Sequence, residues 1–231
     1  MGVTTGFIAL LCLILLLLNF LSRKLNLTKV KAFLMKHHKS MALVLLAIVI
    51  IHLGFALTVF KTRDLEVNLT GFIALFIIIA TILLCFSKKA NRFKLHKYLA
   101  LALTVVVIAH IVAWNIDFKH YQEGVKNIQI SNVDLNSIDD GTYEGYSDVG
   151  YIKAKVEVTV KDGKLTSIKL IEHLNERGSR AEAIIGHMLK EQRIDVDSIT
   201  GATNSSLVIK GFNAISCGIT RSFTSRLIIN F

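Results

Sequence analysis

Two rhythms of apolar residues divide this chain. Up to about residue 116 they come in long runs, 6–21, 41–60, 69–86 and 98–116, none of which contains Asp, Glu, Lys or Arg. Each run approaches the ~20 residues that an α-helix needs to cross a ~30 Å hydrocarbon core, so four transmembrane helices are expected. The first run is short and is expected to take in Val3, Thr4 and Thr5. Residues 1–5 carry no positive charge and no small-residue cleavage site follows, so it reads as a retained span rather than a signal peptide. Past residue 140 the rhythm changes to alternation. Ile152, Ala154, Val156, Val158 and Val160 interleave with Lys153, Lys155, Glu157 and Thr159, the pattern of a half-buried strand. Asp162-Gly163 is a hairpin turn signal, and 165–171 is the returning strand. Because a two-stranded hairpin is unstable alone, 143–146 is expected to add a third strand. Ser179-Arg180-Ala181-Glu182 has capping-box spacing and opens a helix to about Gln192. A second helix is expected from Asn204 to about Gly218, and a short strand over 221–231. The polar stretch 117–140 reads as a link that contains a short helix.

Charge sharpens the membrane reading. The whole chain has 27 Lys+Arg against 17 Asp+Glu, a net +10. Residues 1–115 hold 13 basic and 2 acidic side chains, while 116–231 hold 14 basic and 15 acidic ones. The excess therefore belongs to the apolar half, where it flanks the runs, and this argues against a nucleic-acid partner. Arg23, Lys24, Lys29, Lys31, Lys36 and Lys39 lie between runs one and two. Lys88, Lys89, Arg92, Lys94 and Lys97 lie between runs three and four. Between runs two and three, Lys61 and Arg63 are offset by Asp64 and Glu66. Positive-inside reasoning puts the two basic links in the cytoplasm, with both termini and the C-terminal half outside.

The membrane half is a duplicated hairpin. Thr5-Gly6-Phe7-Ile8-Ala9-Leu10 recurs as Thr70-Gly71-Phe72-Ile73-Ala74-Leu75, and Lys36-His37-His38-Lys39 matches Lys94-Leu95-His96-Lys97. His52 then corresponds to His110. His38 to His52 and His96 to His110 are both 14 residues. Fourteen steps of ~100° fall about 40° short of four turns, so each helix carries two histidines on one face, about 21 Å apart. Ionisable residues within a span are costly and face the bundle interior with a partner. Two stacked pairs, His38 with His96 on the cytoplasmic side and His52 with His110 in the outer half, suit two haems held by paired imidazoles. Interhelical hydrogen bonding and another metal are the alternatives. His37 competes with His38, and the repeat favours His38. Residues 36–110 thus resemble the di-haem core of ferric-reductase-type and other b-type membrane cytochromes, with four spans here where ferric reductases have about six and no cytoplasmic nicotinamide- or FAD-binding segment.

In the second half, Asp197-Ser198-Ile199-Thr200-Gly201-Ala202-Thr203 places a Gly-Ala pair and a hydroxyl at a helix N-terminus. Free amides and the helix dipole favour an anion there, although an ordinary turn and cap reads equally well. The run resembles the flavinylation motif Asp-x-x-Ser/Thr-Gly-Ala-Ser/Thr of the FMN-binding domain family, found in subunits of sodium-pumping quinone reductases and their relatives. Asp140-Gly141-Thr142-Tyr143-Glu144-Gly145 and the strand from Val156 through Asp162-Gly163-Lys164 to Ile168 look like the opening strands of that family. The resemblance spans about 139–220. It implies that Thr203 takes FMN through a phosphoester made by a separate flavin transferase, with Asp197, Thr200, Gly201 and Ala202 recognised by that enzyme. It also implies flavin contacts near His173, Glu176, Arg177 and Gly178, where this chain lacks the proline common in the family.

Cys12, Cys85 and Cys217 are far apart and form no Cys-x-x-Cys, which argues against an iron–sulfur or disulfide-exchange protein and for small buried apolar roles. No Walker, Rossmann, metalloprotease or nucleophile-triad pattern is present. The expected architecture is an α-helical membrane bundle over 1–116, a linker over 117–138, and a small α+β FMN-binding domain over 139–231. The expected function is electron transfer from a cytoplasmic-side or membrane donor, through two b-type haems, to covalent FMN outside. From there an extracytoplasmic acceptor such as iron, a flavin or a partner reductase is reduced. A haem-free flavoprotein subunit of a larger quinone- or ion-pumping complex is one alternative, and a flavin-based redox sensor or assembly protein is another. The expected setting is a bacterial cell membrane, with lipid as a partner.

Overall fold

The computed structural model describes residues 2–24, 28–87, 91–130 and 134–212. The chain divides into two compact units, Met1–Asp117 and Phe118–Phe231.

In the first unit each apolar run is a helix. They are α1 (Gly2–Lys24), α2 (Thr28–Thr58), α3 (Leu65–Phe86) and α4 (Arg92–Lys126), all long and apolar enough to cross a membrane. They are consistent with a multi-pass membrane protein, since a helix satisfies its own backbone groups in lipid. Large side chains point outward on every helix, among them Phe7, Phe33, Phe76, Leu83, Phe93 and Leu101. In water such surfaces would drive aggregation; in hydrocarbon they need no protein partner. The buried centre is small and follows the repeat. Leu13 on α1 and Leu45 on α2 pack with Ile78 on α3 and Leu103 on α4, their equivalents in the second copy. Ala9 and Ala74, Leu17 and Ile82, and Val49 and Val107 surround them, again as equivalent pairs.

Several links differ from expectation. The basic stretch ahead of span two is largely helical, because α2 begins at Thr28 and contains Lys29, Lys31, Lys36 and Lys39. Its 31 residues exceed the ~20 needed to span, so the lysine-bearing turns extend past the hydrocarbon. Between α2 and α3 a single 3-10 turn, Phe60–Thr62, suffices. The Asn68 side chain closes it by donating to the carbonyls of Phe60 (3.2 Å) and Arg63 (3.3 Å). The stretch expected as a polar link begins instead as the last turns of α4, which runs to Lys126. Among the described residues beyond α4, the 3-10 turn Leu135–Ser137 represents the short helix expected there. Cys85 is exposed rather than buried, and Cys217 lies outside the described residues.

The second unit holds β1 (Gly141–Asp148), β2 (Lys153–Lys161) and β3 (Lys164–Leu174) in an antiparallel meander with β2 in the centre. The alternation works as expected: Ala154, Val156, Val158 and Val160 are all at most 1% exposed. The intervening positions face outward and carry cross-strand ion pairs, Lys155–Glu144 and Lys169–Glu157, each at 2.8 Å. Asp162 and Gly163 both adopt positive φ, 50° and 69°, as a two-residue hairpin turn with the twist of its strands requires. Two short helices, α5 (Ile184–Glu191) and α6 (Thr203–Lys210), contribute Ile184, Met188, Val208 and Ile209 to the core under the sheet.

The helix expected from Ser179 is in two parts. Ser179–Ala183 is a 3-10 turn, and α5 follows with Ala183 at its N-cap. Neither start has a side-chain cap, so the capping-box spacing of Ser179 and Glu182 is not used. Glu182 turns instead to His173. The second helix ends at Lys210 with Gly211 as its C-cap, earlier than Gly218. The strand expected over 221–231 lies outside the described residues.

Candidate functional site

Within the membrane unit one pair of repeat-equivalent histidines comes together. The rings of His38 on α2 and His96 on α4 approach to 6.0 Å between centroids at an interplanar angle of 70°. The Nδ1 of His96 is buried and has no hydrogen-bond partner. His37, one step along the helix, packs instead against Phe33 at 4.7 Å. Fourteen residues on along α2 and α4, His52 and His110 each engage the head of another helix. The Nδ1 of His52 is 3.1 Å from Thr5 Oγ1 and 3.0 Å from the Gly2 carbonyl. His110 repeats the arrangement, with Nδ1 3.0 Å from Thr70 Oγ1 and a hydrogen bond to the backbone of Val67. Among the described residues no group of three or more His, Cys, Asp or Glu gathers as a metal site.

The donor set fits a bis-imidazole haem. A metal–imidazole bond of ~2.0–2.1 Å puts two ring centroids on one metal roughly 6 Å apart, the spacing that His38 and His96 adopt. Imidazole pairs facing one another across a helix bundle suit iron in a porphyrin better than a bare ion, which would call for more protein ligands.

In the second unit the motif is an exposed loop leading into α6. Thr203 is the first residue of the helix and is exposed, as are Asp197, Thr200 and Gly201, while Ala202 is buried. Gly201 has φ +80° with open space on its side-chain side, a backbone conformation that glycine adopts without strain. The first amides of a helix have no partner within it, so α6 presents free N–H groups beside the Thr203 hydroxyl.

Side chains that the motif does not include hold this loop. Ser206 Oγ, fully buried, accepts the Ile199 N–H at 3.1 Å. One turn on, the buried Lys210 Nζ donates to the Val196 carbonyl at 2.7 Å. The loop is thus tied at its start and at Ile199 to one face of α6. Asn204, next to Thr203, donates to the Tyr121 hydroxyl at 2.7 Å, and the Tyr121 ring stacks on Tyr151 at 4.6 Å and 9°.

The segment after β3 also reaches α6. Gly178 sits where any side chain would run into the Ser205 hydroxyl, so only glycine allows this approach. The Gly178 N–H donates to Asn175 Oδ1 at 2.8 Å. His173 is nearly buried, with Nδ1 3.0 Å from Glu182 Oε1, and its Nε2 is buried with no hydrogen-bond partner. Glu176 and Arg177 are exposed in the bend between Asn175 and Gly178. The structure therefore brings Gly178 against the first turn of α6, while Glu176 and Arg177 remain at the surface. Sequence reasoning missed Thr5, Thr70, Ser206, Lys210 and Tyr121. A signal existed for the first two, because they lie in the repeated hexapeptide; isolated Ser, Lys and Tyr residues in 118–212 carry none.

Neither a curated protein nor a solved structure matches the chain. The family model of the FMN-binding domain matches residues 149–213, from the turn before β2 to the end of α6, and so supports an FMN-binding domain with a flavin-based redox role in this part of the chain.

Proposed function

We propose that this protein carries electrons across a membrane, with two b-type haems held by His38 and His96 and by His52 and His110, and with FMN joined to Thr203. The observation that carries the reading is the pairing of repeat-equivalent histidines from α2 and α4, His38 against His96 at 6.0 Å, in a chain that also has an FMN-binding domain. Haem and flavin, when bound, supply reversible one-electron carriage. The protein supplies their positions. The imidazoles come from two helices whose outer faces are apolar, so the ligands are kept from water. Thr203 offers an exposed hydroxyl at the start of α6, where a flavin transferase can reach it and where the helix dipole favours the phosphate of a phosphoester. Asp197, Thr200, Gly201 and Ala202 form the loop which that enzyme reads, and Gly178, against Ser205 of α6, and the nearly buried His173 are candidates for flavin contacts.

The basic flanks of α2 and α4 support a cytoplasmic location for the His38 side, with both termini and the FMN domain outside. The donor is then a cytoplasmic-side or membrane reductant, and the acceptor is extracytoplasmic iron, flavin or a partner reductase. A reduced-minus-oxidised absorbance spectrum of the purified protein, with haem quantified against protein, tests this directly. Two b-type haems per chain are expected, and His110→Ala should remove one of them while leaving covalent flavin in place. A chain that purifies without haem, or a variant that loses haem and flavin together, refutes the conduit.

A further inference from the structure

The repeated Thr-Gly at the head of α1 and α3 meets the same histidine atom in both copies. Thr5 Oγ1 donates its proton to the Gly2 carbonyl at 2.8 Å. Thr70 Oγ1 spends its proton on the carbonyls of its own helix, Glu66 at 2.6 Å and Val67 at 3.1 Å. A threonine hydroxyl has one proton and two lone pairs, so toward the histidine each can only accept. The second neighbour of each ring is a backbone carbonyl, Gly2 for His52 and Val67 for His110, which also only accepts. Nδ1 must therefore carry the hydrogen in both rings, and the bare lone pair is on Nε2. The glycine that follows each threonine sets the ring's place. A Cβ at Gly6 would stand 3.2 Å from His52 Cε1, and one at Gly71 would stand 3.3 Å from His110 Cε1, both tighter than ordinary contact.

We propose that Thr5 and Thr70, with Gly6 and Gly71, are positioning residues that fix His52 and His110 in the Nδ1–H tautomer and in one ring orientation, so that Nε2 is presented as an iron ligand of raised basicity. This rests on the haem reading above for those two histidines. An imidazole whose other nitrogen donates a hydrogen bond is more basic and favours the oxidised metal, and losing such a partner typically costs on the order of 10–100-fold in metal affinity. In the other pair, His96 Nδ1 is buried without a hydrogen-bond partner.

The test is a redox titration with electron paramagnetic resonance of the full-length protein carrying Thr5→Val, Thr70→Val or both. The carbonyls of Gly2 and Val67 remain, so haem is retained, and the His38/His96 haem serves as the internal reference. The midpoint potential of the outer haem should rise in each single variant and further in the double, while the inner haem stays unchanged. Thr→Ser at either position should restore it. Gly6→Ala and Gly71→Ala, which press on the ring without touching the hydrogen bond, should shift the low-spin signal of that haem. An unmoved outer potential in a double variant that still holds two haems overturns the inference and leaves the proposed function standing. Equal shifts in both haems also overturn it, since they report general distortion. An unaltered chain without haem overturns both.

Discussion

Replacing Ser206 with alanine tests whether the loop before Thr203 is held by the helix that follows it. The side chain is fully buried, and its oxygen accepts the Ile199 N–H at 3.1 Å. Alanine removes one neutral hydrogen bond and leaves a half-buried amide for water to satisfy, a loss of about 1–2 kcal/mol. That is small against the ~5–15 kcal/mol that holds a domain folded, so the unit persists. The loss falls on the segment between Asp197 and Thr203, which in the function proposed above is the segment that a flavin transferase recognises. If the bond is lost only when the loop leaves its place, the population of the placed loop falls by a factor of roughly 5–30 relative to its alternatives. Co-expression with a flavin transferase, followed by in-gel fluorescence and intact mass, measures the rate of FMN attachment. The rate should drop several-fold, while the domain stays folded with a melting temperature lower by roughly 4–16 °C. A variant flavinylated at the unaltered rate, yet destabilised by the expected 1–2 kcal/mol, would show that the bond stabilises the fold without ordering the loop.

Three further outcomes are expected. Thr203→Val should abolish covalent flavin with no measurable change in thermal stability, because the residue is exposed and α6 has no side-chain cap to lose; fluorescence and calorimetry on one preparation check both halves. Val158→Ala, at the centre of β2 and fully buried, should lower unfolding free energy by about 2–3 kcal/mol from two lost methyl groups and the space they leave, measured by denaturant titration of the domain's near-ultraviolet signal. Tyr146, whose hydroxyl donates to Asp148 at 3.0 Å, has its pKa pushed up to about 12, chiefly by burial and then by that carboxylate. A pKa raised in the folded state means that the neutral phenol is favoured there. Its contribution is therefore full below pH 10 and lost as pH climbs from 10 toward 12, and Tyr146→Phe should flatten that part of the stability profile.

The two halves were legible to different depths for reasons of period and distance. Uncharged runs of membrane-spanning length leave few alternatives, and α1 to α4 all formed on them, each reaching beyond its run. The β2–β3 hairpin was equally clear, since strict alternation and Asp162-Gly163 are local signals. Element ends were not. Whether α4 stopped at residue 116 or ran to Lys126 depended on Phe118 and Tyr121 packing into the core of the second unit, which no local propensity reveals. Ser179 and Glu182 had capping spacing, yet Glu182 took His173 as its partner from a strand nine residues back.

By itself, the chain's order of residues determined four spans, a duplicated hairpin, the equivalence of the histidines, and a flavinylation-like motif opening a helix. All of these are periodic or contiguous, and a repeat carries its own alignment. The tertiary structure alone decided which atoms meet: Thr5 and Thr70 on the Nδ1 atoms of His52 and His110, Ser206 and Lys210 on the loop before Thr203. Such contacts join residues far apart in the chain, and a hydrogen bond is settled by tenths of an ångström and by direction, neither of which spacing along a sequence contains.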